Sequence, residues 1–287
     1  MKYAFVRQYK NRFSIRRMCR VLRVSRSGYY DWLDRPDSAR STSDRCLLGH
    51  IRRVHDQSRQ YYGIVKCWEQ LNQEGIHCGR DQVARLRREH DIFSKRRRRF
   101  VITTQSKHTD WIAPNLLQRN FTVDKPNAAW VGDVTFIATR EGWLYLSILL
   151  DLFSRKVVGW SMGDRNNGEL VRSCLDMAIQ HRLPEPGLIH HTDRGSIYGT
   201  KTYQEELNEK GIIPSMSRKG DCWDNAVAES FFSNLKNELI EWIIYINRDQ
   251  ARAAVFDYIE VFYNRQRLHQ TLNYTSPEEY ERLAGVS

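Results

Sequence analysis

The 287-residue sequence combines an ordinary globular composition with a strong positive charge. Its 41% hydrophobic and 28% charged residues argue against wholesale disorder. No stretch approaches the roughly 18 uninterrupted apolar residues that a membrane helix needs. Six scattered cysteines without a CxxC pair favour reduced thiols in the cytoplasm over a disulfide framework. The formal net charge of +11 makes a polyanion the expected partner.

The positive charge is concentrated in the N-terminal part of the chain. Residues 1–110 carry 26 Lys and Arg against 11 Asp and Glu, whereas residues 111–287 carry 19 against 23. This asymmetry predicts a basic binding half joined to a second half with another task. One run of five cations is too dense for a packed element and predicts an exposed linker that contacts phosphates. The run consists of Lys95, Arg96, Arg97, Arg98 and Arg99.

Apolar residues at helical spacing predict that the basic half is all-α. Helices expected near residues 15–22 and 29–33 are joined closely enough to indicate a helix-turn-helix. Further helices are expected around residues 47–54, 64–71 and 83–86. We predict that the last helix binds DNA through its outer face, although a solvated basic face explains the same pattern equally well. The arginines assigned to that face are Arg80, Arg85, Arg87 and Arg88.

The second half alternates strand and helix patterns, which predicts an α/β fold. Three successive strands indicate an antiparallel meander, and two later strands alternate with helices. Together they predict a mixed sheet covered by helices. The strands are expected at residues 128–139, 143–153, 156–162, 188–192 and 212–216.

Three carboxylates occupy unusual positions in this pattern. Asp133 interrupts a strand, where burying a charge without a partner is costly. Asp193 follows a strand end, the place where open α/β sheets bind ligands. Glu229 lies early in a long helix that we expect Asp224 to cap. Each position also has an ordinary structural explanation, and Asp151 is an alternative candidate.

Four ordered motifs give these residues a family context. In their residues and spacing the chain resembles a DDE transposase of the retroviral-integrase superfamily, and more narrowly the downstream-frame product, OrfB, of IS-three family insertion sequences. Thirty-five residues separate Asp193 from Glu229, the separation typical of the acidic triad in that family. The motifs are WVGDVT from Trp130, GWLYL from Gly142, HTDRGSIY from His191 and DNAVAESFF from Asp224.

The resemblance implies a fold, a reaction and a cofactor. The fold is an RNase H-like core, a mixed five-stranded sheet flanked by helices, preceded by an all-α region of helix-turn-helix type. The reaction is cleavage at insertion-sequence ends followed by strand transfer of the 3′-OH. The resemblance assigns Asp133, Asp193 and Glu229 to catalysis and to binding Mg²⁺ or Mn²⁺, with two ions expected, since hard cations prefer carboxylate oxygens. It also places Lys236, two helical turns after Glu229, against DNA.

The same resemblance suggests an organisation and a set of partners. We predict a helix-turn-helix-like segment at 1–40, a second helical DNA-binding domain at 41–94, a basic linker at 95–124, a catalytic core at 125–245 and a C-terminal helical tail at 246–287. The expected partners are transposon terminal inverted repeats, target DNA, further copies of the chain and an upstream-frame (OrfA) fusion partner. The expected location is the nucleoid in a bacterial cytoplasm.

Two other functions compete with transposition. A nuclease of the same fold, such as a ribonuclease H or a resolvase, would use the same carboxylates, but it has no need of the long basic helical half. A DNA-binding regulator with an inert catalytic half would not need all three carboxylates intact. Both comparisons favour a transposase.

Overall fold

The computed structural model of the chain describes residues 1–36, 38–95, 112–218 and 222–285. The first of these ranges folds into three short helices around a small apolar core made by Val6, Met18, Cys19 and Tyr29. Val6 comes from a first helix that the sequence analysis did not predict, and the next two helices form the predicted closely joined pair. The helices are α1 (Lys2–Tyr9), α2 (Ile15–Val21) and α3 (Arg26–Asp34).

Residues 38–95 contain three longer helices. These helices match the predicted ones but extend further. The first helix starts well before its apolar stripe because Ser38 caps its N-terminus: the Ser38 side chain accepts a hydrogen bond from the Ser41 N–H. Their buried faces meet through residues such as Ile51, Leu71 and Val83. The helices are α4 (Ala39–Gln57), α5 (Ile64–Gln73) and α6 (Arg80–Glu89).

A mixed five-stranded sheet forms the centre of the second half, as predicted. Its strand order is β3-β2-β1-β4-β5: the first three strands pair antiparallel, and β4 and β5 are parallel to β1. The strands are β1 (Ala129–Thr139), β2 (Gly142–Asp151), β3 (Val157–Gly163), β4 (Ile189–Thr192) and β5 (Ile213–Met216).

Helices cover both faces of this sheet. Because side chains alternate along a strand, Trp130 packs into the core beneath two helices on one face, whereas Val131 and Ile137 enter the core on the other. The helices of the first face are α7 (Gly168–Arg182) and α8 (Lys201–Glu209). The second face is covered by α9 (Ala226–Glu238) and the C-terminal segment.

The C-terminal segment packs against α9 and the sheet. Helix α10 (Arg248–Phe256) continues into a π-helical turn at Asp257–Tyr263, and α11 (Pro277–Leu283) follows. Val255 and Phe262 of the first two elements are buried in the same core as α9 and the sheet. The broad apolar stripe of this segment therefore covers the sheet rather than facing water.

Two further features frame the site. The described part of the segment predicted as a linker, residues 112–124, lies against the catalytic half: Ala113 and Leu117 are buried, and the Leu116 N–H donates to the Ser215 hydroxyl at 2.9 Å. Within the described ranges, no helix has the length and apolar character needed to cross a bilayer.

Candidate active site

Asp133 lies on β1, and Asp193 directly follows the end of the neighbouring strand β4. Strands β1 and β4 run parallel with Val131 opposite His191, so each aspartate lies two residues beyond a paired residue. Because side chains two residues apart point to the same face, both aspartates are directed to one side of the sheet edge. The strand order therefore brings together two carboxylates that lie 60 positions apart in the chain.

Glu229 reaches the same region from the helix that covers this sheet face. Helix α9 begins at Ala226 and packs against β1, which places Glu229 in its first turn. Partial burial raises the pKa of Glu229, and the charge of Asp193 raises it further. An electrostatic effect of this kind requires proximity, so Glu229 and Asp193 belong to one acidic group.

The Asp133 carboxyl is also perturbed by its surroundings. Burial raises its pKa well above the usual range, and the charges of Asp193 and Glu229 add to that effect. A hydrogen bond from the Val134 N–H at 2.8 Å and the positive charge of Lys236 oppose the increase. The three carboxylates therefore lie close enough for their charges to act on one another, and ionising all of them costs free energy.

The donor set suits a hard divalent cation. Mg²⁺ and Mn²⁺ prefer carboxylate oxygens, and three such side chains leave room for water and phosphate oxygens around the ion. In the part of the chain that the structure describes, no group of three or more Asp, Glu, His or Cys side chains is placed so that it could hold a metal ion. Asp133 and Asp193 instead accept hydrogen bonds from nearby backbone N–H groups, those of Val134 and Gly195.

Asp151, the alternative carboxylate, has a different environment. It is fully buried, accepts the N–H groups of Asn127 and Phe153 at 2.9 Å each, and receives an Arg182 guanidinium N–H at 3.0 Å. Its charge is neutralised and its oxygens are occupied, so Asp151 stabilises the end of β2 rather than binding a ligand.

Asp224 does not cap α9, and this expectation was wrong. The N-cap residue is Asn225, and Asp224 is a fully buried carboxylate bound by side chains from two other segments. Arg218 donates Nε to it at 2.9 Å, Arg119 donates Nε at 3.1 Å, and Asn115 donates its amide at 2.8 Å. The arginines satisfy the carboxylate more strongly than helix N–H groups would.

Asn225 is a residue of this site that sequence reasoning missed. Its side chain makes no capping hydrogen bond, although Asn usually caps at this position. Its amide nitrogen instead donates to the Gly132 carbonyl at 3.3 Å, immediately before Asp133. Asn225 is buried and lies one helical turn before Glu229, so it ties the start of α9 to β1 between two of the acidic residues. The signal was its place in the motif beside Asp224.

The predicted DNA-contacting side chains fall into different environments. Arg80 and Arg88 are exposed on α6, and Arg85 is half-buried in ion pairs with Asp44 and Glu89. The outer-face position predicted for Arg87 is wrong. Arg87 lies four residues after the buried Val83, one helical turn further along the same face, and it donates to the Tyr62 carbonyl at 3.1 Å.

Lys236 and the basic run complete the set of predicted DNA contacts. Lys236 is half-buried, with its Nζ 5.7 Å from the centre of the Phe136 ring, and its charge acts on Asp133. Burial lowers the pKa of Lys236, whereas the charge of Asp133 raises it. Lys95 is exposed, and its Nζ lies 5.7 Å from the Tyr61 ring centre. Arg96, Arg97, Arg98 and Arg99 lie outside the described residues.

Comparison with known proteins places these features in one family. Sequence profiles match three parts of the chain: an HTH-like domain at residues 42–100, an Integrase core domain at residues 123–222, and a second Integrase core domain profile at residues 229–283. The profile at 123–222 spans Asp133 and Asp193, and the profile at 229–283 begins at Glu229.

Full-length relatives agree with these profiles. The chain is 44% identical to the "Insertion element IS600 uncharacterized 31 kDa protein" of Shigella sonnei, covering 93% of this chain and 100% of the relative. It is 40% identical to "Transposase InsF for insertion sequence IS3A" of Escherichia coli, covering 98% of each. Among solved structures it is similar to the simian T-cell lymphotropic virus intasome in complex with PP2A regulatory subunit B56 gamma, with a TM-score of 0.46 and 16% identity over 80% of this chain and 73% of that chain. It is also similar to the HTLV-2 integrase catalytic core domain in complex with magnesium, with a TM-score of 0.42 and 19% identity over 54% of this chain and 96% of that chain. On the strength of the full-length sequence relatives, the chain belongs to the IS3 (IS-three) family of insertion-sequence transposases, which have an integrase-type catalytic core.

Proposed function

We propose that this protein is a metal-dependent DNA transposase in which Asp133, Asp193 and Glu229 form the catalytic site. The observation that carries the proposal is the parallel register of β1 and β4, which directs Asp133 and Asp193 to one edge beside the first turn of α9. The raised pKa of Asp133, caused by burial and then by Asp193 and Glu229, supports a site built for bound cations.

The three carboxylates provide oxygen ligands for two divalent ions, Mg²⁺ or Mn²⁺. When bound, such ions activate the attacking oxygen and stabilise the leaving oxygen of a phosphodiester. Asp133 and Asp193 supply ligands from the rigid sheet, and Glu229 supplies one from the helix. Lys236, which lies on the Glu229 side of α9, acts as a point charge on a DNA phosphate near the site.

Both steps of transposition use the same carboxylates. Attack by water at the insertion-sequence end exposes a 3′-OH, and attack by that 3′-OH on target DNA joins the strands. Each step exchanges one oxygen for another at phosphorus, so neither needs a covalent enzyme intermediate. One acidic site therefore serves cleavage and joining.

DNA binding is assigned to the helical half and the linker. Arg80, Arg85 and Arg88 of α6, together with Lys95 and the basic run that follows it, would contact phosphates of the terminal inverted repeats. The HTH-like profile at 42–100 supports a DNA-binding role for the helical half. The proposal keeps the division of the chain into segments at 1–40, 41–94, 95–124, 125–245 and 246–287. We further propose that the chain acts as a homo-oligomer on DNA, joined to an upstream-frame product, in the nucleoid of a bacterial cytoplasm.

The test uses the full chain on supercoiled plasmid DNA with Mg²⁺ or Mn²⁺. Asp133→Asn, Asp193→Asn and Glu229→Gln should each abolish nicking and 3′-end joining while DNA binding is largely retained. Glu205→Gln is the matched control, because Glu205 is an exposed carboxylate in an ion pair with Lys201 on α8. Near-normal activity of Asp133→Asn would refute the assignment. Nicked products without joined products would indicate a nuclease. DNA binding without nicking would indicate a regulator.

A further inference from the structure

Phe136 and Trp143 form an exposed aromatic pair on the sheet. They lie diagonally across β1 and β2, because Phe136 is paired with Tyr145, two residues after Trp143. Their ring centres are 4.8 Å apart and the rings meet at 77°, the edge-to-face geometry that aromatic side chains prefer. The two residues are nevertheless 45% and 50% exposed. The aromatic pair is therefore ordered by its own contact and still accessible to a further partner.

The packing of the core does not account for Trp143. Side chains alternate along β2, so Leu144 and Leu146 are buried, whereas Trp143 is exposed near the start of the strand. The GWLYL motif thus supplies the core with two leucines and places an indole ring at the surface. A large ring in that position calls for an explanation outside the core.

The aromatic pair lies close to the acidic site. Phe136 is three residues beyond Asp133 on β1, and a strand rises about 3.3 Å per residue, so roughly 10 Å of strand separate them. Lys236 is near both: its Nζ is 5.7 Å from the Phe136 ring centre, and its charge opposes the rise in the pKa of Asp133. Bases of a DNA strand follow one another at about 3.4 Å along the helix axis. A base within about three positions of a phosphate at the acidic site can therefore reach the pair.

The surroundings of the aromatic pair match a nucleotide. Arg140 is exposed in the turn between the two strands, and Arg248 donates Nε to the Trp143 carbonyl at 3.0 Å. The carboxylate of the same turn, Glu141, accepts the Arg248 backbone N–H at 3.0 Å. A nucleotide combines a flat ring with a phosphate, and proteins bind single-stranded DNA through aromatic rings in a cationic groove. A purely apolar protein surface would match the rings but not the two arginines.

We propose that Phe136 and Trp143 form a stacking site for an unpaired DNA base within about three positions of the phosphate that is cleaved. Bases inside a duplex are covered by pairing and stacking, so only a base that has left the helix can meet the rings. A base held in this way keeps the duplex open beside the acidic site. The inference rests on the proposed function, because the acidic site defines which phosphate is cleaved.

The test compares the binding of two short duplexes to the full chain by fluorescence anisotropy, in EDTA so that no cleavage occurs. One duplex is fully paired. The other, the forked duplex, ends in three unpaired bases, one of which is the fluorescent base 2-aminopurine. Trp143→Leu removes the larger ring of the pair. The matched control is Phe256→Leu on α10, because Phe256 is 51% exposed and makes an edge-to-face contact with Trp160 at 6.0 Å. A thermal melt checks the fold of each variant.

The stacking site predicts that the wild type binds the forked duplex about tenfold more tightly than the paired one, since base stacking on aromatic rings contributes to affinity. Trp143→Leu should lose this preference and bind the paired duplex as before, whereas Phe256→Leu should keep it. Binding to the wild type should also quench 2-aminopurine.

Three results would overturn the stacking site. The first is a folded Trp143→Leu chain with an unchanged preference for the forked duplex. The second, which does not depend on the fold of any variant, is a wild type that shows no preference and no quenching. The third is an unchanged preference together with an altered oligomeric state of Trp143→Leu in analytical ultracentrifugation, which would indicate that the pair docks a protein chain. A wild type that prefers the forked duplex but does not nick plasmid DNA would refute the proposed catalysis and leave the stacking site supported.

Discussion

Asn225 offers a way to separate catalytic positioning from helix stability. Pairing between β1 and β4 ends at Val131 and His191, so the Gly132 carbonyl lies beyond the paired residues, where the Asn225 amide donates to it. Asn225→Ala removes this hydrogen bond and leaves a buried carbonyl unsatisfied, at a cost of about 1–3 kcal/mol in unfolding free energy. The link between α9 and β1 is lost as well, and Glu229 lies one turn along that helix.

Asn167 provides the matched control. It is the N-cap residue of α7, where its side-chain oxygen accepts the Leu170 N–H at 3.1 Å, so Asn167→Ala should cost about 0.5–2 kcal/mol through lost capping. The two variants should therefore melt at similar temperatures. Because small displacements of catalytic groups are costly, we expect Asn225→Ala to nick plasmid DNA about 10- to 100-fold more slowly and Asn167→Ala to cut at the wild-type rate. Equal nicking rates in the two variants would refute the positioning argument.

Two further substitutions test buried charges outside the site. Arg267 donates to both Glu238 carboxylate oxygens at 2.8–3.1 Å and both side chains are largely buried, so Arg267→Ala should lower stability by about 3–5 kcal/mol, which a thermal melt would detect as a large drop in Tm or as insoluble protein. Burial lowers the pKa of Lys66 to about 8, and the charge of Arg267 adds to the effect, so the folded state disfavours the charged form of Lys66. Lys66→Met should therefore raise the unfolding free energy at pH 7 by about 1–3 kcal/mol. The stability gained by Lys66→Met should shrink as the pH rises from 8 towards 10.5, because Lys66 loses its proton in the folded protein before it does so in the unfolded chain. Denaturant titrations at pH 7 and pH 9.5 that give the same difference in unfolding free energy between variant and wild type would contradict this explanation.

Periodicity predicted elements where each one buries a regular apolar stripe. The five strands and the helices with buried stripes were expected because alternating or helically spaced apolar residues are needed to fill the core. Helix α1 was missed because it buries only Val6, which leaves no repeating signal. The first two turns of α4 were missed because the sequence there is polar and only the cap at Ser38 marks the start. Arg87 was placed outside on charge alone, although its spacing from Val83 puts it on the buried face.

The acidic residues of the candidate site were predicted from the family resemblance. In an RNase H-like sheet the first strand lies beside the fourth, and the structure has this strand order, which brings the ends of the two strands that carry or precede Asp133 and Asp193 together. The partners of Asp224 gave no such signal, because Asn115 and Arg119 are more than a hundred residues away in the chain. Contacts between loops that are distant in sequence depend on where the completed fold places those loops. A local residue pattern therefore cannot predict such contacts.

The helical half and α9 are joined through a buried polar network. The Tyr62 hydroxyl, between α4 and α5, donates to the carbonyl of residue 266 at 3.0 Å and accepts the N–H of residue 268 at 2.8 Å. Between these two residues, Arg267 binds Glu238 in the last turn of α9, the helix whose first turn carries Glu229. Buried, fully paired groups of this kind tolerate little displacement, because each lost contact leaves a charge or a dipole without a partner. The segment that follows α10 is therefore the structural link between the helices assigned to DNA binding and the helix that supplies Glu229, which is why the tests of DNA binding and cleavage use the full chain.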